Sequence, residues 1–165
     1  MADLGPVAGL SGLRTLNCWQ TVVADLGPVA GLSGLQTLIC SQTEVAELGP
    51  VAGLLELERL DCSGTAVTDL KPVAGLLDCR DSIVRSEVVD LGPVAGLVAL
   101  QTLNCSVTKV ADLGPVAGLV ELKTLSCWET AVADLRPVAG LVQLGNFNAQ
   151  SRRWRTWGRW RGWES

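Results

Sequence analysis

At 165 residues, 48% hydrophobic and 18% charged, the chain is one domain's worth with enough apolar side chains for a core. No apolar run approaches the roughly 18 residues of a membrane span, and the absence of His and Tyr removes the commonest general base and metal ligand. The net charge of −4 is uneven: the last fifteen residues hold five of the 13 Lys+Arg and one of the 17 Asp+Glu, leaving an acidic body that suits nucleic acid poorly.

The opening MADLGPVAGL has neither the basic nor the long apolar segment of a secretion signal. The expected compartment is therefore cytoplasmic, with an export signal upstream of Met1 as the alternative. The string L-x-P-V-A-G-L then recurs seven times, with prolines at 6, 28, 50, 72, 93, 115 and 137. The intervals are 22 residues except for one of 21. A full unit, LQTLICSQTEVAELGPVAGLLE, begins at Leu35.

Within it Leu38 and Cys40 alternate as in a strand and share one face. Gly-Pro or Lys-Pro then imposes an extended residue and a turn, and V-A-G-L is too short for more than one turn of helix. No unit can bury its apolar face alone, so neighbours must stack into a solenoid. The shorter interval coincides with residues 77–88, LDCRDSIVRSEV, where the pattern lapses.

The consensus L-x-x-L-x-C-x-x-T-x-V-x-D-L-x-P-V-A-G-L resembles the leucine-rich repeat, specifically the internalin-like bacterial type with 22-residue repeats. The resemblance covers nearly all of residues 1–147. It implies an α/β solenoid: a right-handed coil with a parallel β-sheet on its concave face and short helical or irregular turns on the convex one. Cys18, Cys40, Cys62, Cys105 and Cys127 take the family's third leucine position. Thr21, Thr43, Thr65, Thr108 and Thr130 take its asparagine position, so hydroxyl hydrogen bonds must replace the asparagine ladder.

The periodic cysteines read as an inward column of small apolar thiols, not as metal ligands, since no C-x-x-C occurs. Coil spacing permits a disulfide on distance alone, but the reduced state is expected. Asp3, Asp25, Glu47, Asp69, Asp90, Asp112 and Asp134 also form a column, whose expected role is to accept backbone N–H groups of the following turn. No nucleophile–base pair, phosphate loop or paired catalytic carboxylate stands out, so an enzyme is not expected, nor a cofactor or small-molecule substrate.

What remains is the outward face of the sheet, where the family binds protein partners. The expected partner-binding residues there are Asn17, Trp19, Ile39, Arg59, Asp61, Asn104, Ser126 and Trp128, among Thr15, Thr37, Ser41, Ser63, Thr102, Ser106 and Thr124. Trp19 and Trp128 are the expected anchors, since Trp is the strongest hot-spot former.

The tail, 148–165, departs from all this: Trp154, Trp157, Trp160 and Trp163 alternate with arginines. Written in GC-rich codons and read from the third base of Arg153, residues 153–163 give VADLGPVAGL, the repeat itself. The tail therefore reads as a frame-shifted repeat. Shifted in the same sense, Cys79–Arg85 reads L-x-x-L-N-C-S, which makes Cys79 and the neighbouring Asp78, Arg80 and Asp81 accidental.

The function expected is a protein–protein interaction scaffold. One alternative is a non-functional fragment of a larger repeat protein from a frame-shifted gene, which predicts exposed Leu columns at both ends of the array. Another is membrane or nucleic-acid binding through the basic aromatic tail.

Overall fold

The computed structural model describes residues 3–76, 81–83 and 87–149, with 81–83 as backbone. Seven three-residue strands follow one another: β1 Thr15–Asn17, β2 Thr37–Ile39, β3 Arg59–Asp61, β4 Asp81–Ile83, β5 Thr102–Asn104, β6 Thr124–Ser126 and β7 Asn146–Asn148. They pair in that order, all parallel, into one sheet. The register sets each residue beside its successor one period later, so Leu16, Leu38, Leu60, Ser82, Leu103, Leu125 and Phe147 share a row. Strand order equal to chain order, with one coil between strands, is a solenoid.

Opposite the sheet, each coil carries a 3-10 turn over the Pro-Val segment, as at Gly27–Val29, Gly49–Val51 and Arg136–Val138. Proline stands in the first turn, where its missing N–H has no intrahelical partner to lose. The bonds then run on: Val51 N–H to the Leu48 carbonyl at 2.9 Å, Leu54 to Val51 at 3.0 Å, Leu57 to Leu54 at 2.9 Å.

Three residues per turn bring i and i+3 to one side. Leu48, Val51, Leu54, Leu57 and Leu60 therefore all face inward and are no more than 1% exposed. Cys62 and Val67, equally buried, complete the inward set of that coil. Each such aliphatic side chain is worth roughly 1.5–3 kcal/mol over leaving it in water. The strand alternation was legible in the sequence; the three-residue period of the rest of the coil is added by the structure.

Three further columns set the turns. Asp25, Asp69, Asp90, Asp112 and Asp134 each accept the N–H two residues on with Oδ1, at 2.7–3.0 Å, as Asp3 does at 2.8 Å. Thr21, Thr43, Thr65, Thr108 and Thr130 each donate Oγ1–H to the carbonyl of the cysteine three residues earlier, at 2.6–2.7 Å. These hydroxyl bonds lie within a coil and do not link coils. Two residues after each column cysteine the backbone is left-handed: Gln20, Gln42, Gly64, Val107 and Glu129 have φ of 52–67°.

The segment where the repeat pattern lapses still contributes β4, paired with β3 and β5. Ser82 takes the row position held by leucine on either side. Asp78, Cys79 and Arg80 lie outside the described residues, as does the Trp/Arg tail from 150 onward.

The two ends differ. In the first coil Leu10 is 49% exposed, and Leu4, Val7, Leu13 and Leu16 are half-buried. In the last described coil Leu141 is 1% exposed and Val132, Val138 and Leu144 are 4–7% exposed.

Candidate interaction surface

The outer row of the sheet is built from the residues flanking each buried strand leucine, because successive strand residues face opposite ways. Asn17 and Arg59 are exposed, and Ile39, Asp61, Asn104 and Ser126 are partly exposed. Trp19, just past β1, is 53% exposed, whereas Trp128, past β6, is half-buried. Five coils separate the two tryptophans, about 24 Å at strand spacing. They are separate contact points and cannot line one pocket.

Ser41 and Ser106, expected on this face, are buried at 4% and 0% exposure. The cause is the register just beyond the strands. Cys18 and Gln20 donate to the carbonyls of Ile39 and Ser41, which sets Ser41 beside Trp19. Cys105 and Val107 donate to those of Ser126 and Trp128, which sets Ser106 beside Trp128. In both places a serine stands next to the far larger Trp of the neighbouring coil. Ser106 Oγ also lies 2.8 Å from Ser126 Oγ, so its hydroxyl is engaged.

Local bonds fix the outer row. Asn17, Asp61 and Asn104 accept, with Oδ1, the N–H two residues on, at Trp19, Ser63 and Ser106 (2.9, 3.0 and 3.1 Å). These turns spend one oxygen of each side chain on the backbone and aim the next residue. Asn17 thereby positions Trp19. The sequence reading had these residues as contacts but missed their structural role, which the spacing Asx-x-Trp/Ser could have shown.

Elsewhere, four of the five column thiols, those of Cys18, Cys40, Cys105 and Cys127, are pushed up by burial, Cys105 to about 12 and Cys127 to about 11. They are neutral apolar fillers. Arg136, bonded to Asp134 through Nε and Nη2, holds that exposed carboxyl at about 2. Among the described residues no group of three or more Cys, Asp or Glu is arranged to hold a metal ion. No described helix is long and apolar enough to cross a membrane.

Seven parallel strands in chain order, with 3-10 turns behind them, match known structures closely. An internalin (InlF) from Listeria monocytogenes superposes with a TM-score of 0.88 at 27% identity over 91% of this chain. The chain is an internalin-like leucine-rich-repeat protein. A second internalin, C2, from the same organism superposes with a TM-score of 0.88 at 28% identity over 90% of the chain. A leucine-rich-repeat protein from Leptospira interrogans reaches 0.80 at 20% identity over 87% and bears on the fold alone. The chain spans 45%, 66% and 38% of these three structures. No protein-family model and no curated relative matches the sequence.

Proposed function

We propose that this leucine-rich-repeat coil is a protein-binding scaffold, and that its partner sits on the concave sheet face with Trp19 and Trp128 as anchors. The observation that carries this reading is Trp19, a large aromatic 53% exposed and aimed by the Asn17 turn. An exposed indole on a rigid sheet gives contact area at little entropic cost. Asn17, Ile39, Arg59, Asp61, Asn104 and Ser126 supply the polar and aliphatic surround. The internalin likeness supports a protein partner in general; the partner's identity is a separate matter.

The test is a photo-crosslinking amino acid placed in turn at Trp19, Trp128 and the convex Val142. Concave crosslinks that are lost in Trp128→Ala support the reading. Equal crosslinking from Val142, or affinity unchanged in Trp128→Ala, sinks it.

A second reading rests on the repeat that GC-rich codons for 153–163 would encode in the alternative frame. On that reading the open frame is a frame-shifted portion of a longer array. Resequencing the codons for 76–90 and 144–165 tests it: one added base near Gly145 must restore a running repeat.

A further inference from the structure

The turns behind the sheet carry an exposed aliphatic row. After the leucine that closes each turn, the next residue bonds two positions back: Leu55 to the Gly53 carbonyl at 3.1 Å, Val98 to Gly96 at 2.9 Å, Val120 to Gly118 and Val142 to Gly140 at 3.0 Å. This γ-turn bond breaks the three-residue inward rhythm and turns the side chain out. Leu55, Val98, Val120 and Val142 are accordingly 55–83% exposed. After the first two turns the same place holds Ser11 and Ser33, and after the fourth it falls at residue 77, outside the described residues.

Charge flanks this row on both sides. Directly after it stand Glu56 and Glu121, both exposed. On the far side of the turn, before the proline, five of the seven turns have glycine; Lys71 and Arg136 take that place in the fourth and seventh. Each of these lies beside the aspartate two residues earlier, yet their side chains are 82% and 91% exposed and so can meet a second carboxylate. Between the two edges the exposed surface is small and apolar, as at Ala52-Gly53, Ala95-Gly96 and Ala117-Gly118.

These positions complement a copy of themselves. A two-fold axis at Ala95-Gly96, in the fifth turn, sets the third turn against the seventh of a second chain and the fourth against the sixth. The place after the aliphatic row then faces the place before the proline. Glu56 meets Arg136, and Glu121 meets Lys71. In the same arrangement each row side chain meets a half-buried proline: Leu55 meets Pro137, Val98 meets Pro93, Val120 meets Pro72 and Val142 meets Pro50. The Ala-Gly pairs between them let the two backbones approach. We propose that this convex face pairs two copies of the chain, antiparallel, across that axis. Asp78, which takes the glutamate's place after the fourth turn, lies outside the described residues and has no part in the pairing argued from the other four contacts. The pairing goes beyond the scaffold reading and, lying opposite the sheet, leaves both concave faces open. A row of this size between two acidic bodies makes a small, weak interface.

The experiment is sedimentation of the full chain from about 1 µM to about 1 mM, where a monomer–dimer equilibrium is expected. Glu121→Lys and Lys71→Glu each place like charges at both symmetry-related contacts. Each is expected to weaken pairing by about tenfold or more, with an unchanged melting temperature. Mixed in equal amounts, the two variants regain opposite charges at both contacts, but only between unlike chains. A mixed dimer close to the parent's affinity is therefore expected. Pairing unaltered in either variant overturns the proposal, since the association then uses another surface. A mixture that pairs no better than its separate parts also overturns it. A parent chain that stays monomeric throughout overturns it too, in favour of a different protein on the row.

Discussion

The backbone N–H of Val107 donates to the carbonyl of Trp128 at 2.8 Å, and this bond between neighbouring coils holds a β-branched residue at φ 59°. The same coil position is Gly64 in the third unit, at φ 67°. A left-handed conformation costs a non-glycine residue roughly 1–2 kcal/mol, and the side chain of Val107, 42% exposed, recovers little of it by packing. Glycine gives back part of the gain through its freer unfolded state.

Val107→Gly is therefore expected to stabilise the fold by about 0.5–1 kcal/mol. Thermal unfolding checks this directly. A lower melting temperature would show that the valine contributes packing that its exposure conceals.

Thr108 donates to the Cys105 carbonyl at 2.7 Å from a site only 7% exposed. Thr108→Val keeps the shape and strands that carbonyl away from water. A loss of about 1–2 kcal/mol in urea unfolding is expected. Thr130→Val, at a half-buried site, is expected to lose less.

The acidic column contains one exception. Glu47 makes no bond to the N–H of Gly49, whereas its aspartate counterparts close the same turn at 2.7–3.0 Å. The extra methylene carries the carboxylate past the amide. Glu47→Asp is expected to restore the bond and add about 0.5–1 kcal/mol, read as a raised melting temperature. No change would mean that water serves Gly49 equally well.

The buried thiols set an alkaline limit. Cys105 and Cys127 stay protonated in the fold up to about 12 and 11, because burial penalises the thiolate, whereas an ordinary thiol ionises at 9.0. Above pH 9 the unfolded chain therefore loses thiol protons that the folded chain keeps. Stability from these groups is full below pH 9 and declines as pH rises toward 11–12. Melting temperatures between pH 7 and 11 should fall over that window, less steeply in Cys105→Ala/Cys127→Ala. The five column thiols, all buried, should also resist alkylation in the native state until denaturant is added.

The sequence by itself determined the coil. A 22-residue period with one strand, one proline turn and a fixed set of apolar positions admits only stacked units, because none can bury its apolar side alone. The strand leucines, the inward cysteines and the carboxylate-closed turns were all legible, since each depends on spacing within one unit. The concave row of Asn17, Trp19, Arg59 and their neighbours was legible for the same reason.

Relations between units were decided by the tertiary structure. Ser41 and Ser106 are buried because of what stands opposite them one coil away, and no single unit shows that. The left-handed backbone at Gln20, Gln42 and Val107 is held by N–H bonds to carbonyls of the next coil, at Ser41, Ser63 and Trp128, and is hidden behind residue types that give no warning of it. β4 forms although its unit has lost the pattern, because the coils on either side supply pairing partners for its backbone. Backbone pairing is indifferent to side chains, so the stack carries one faulty unit through, with Ser82 in the leucine row.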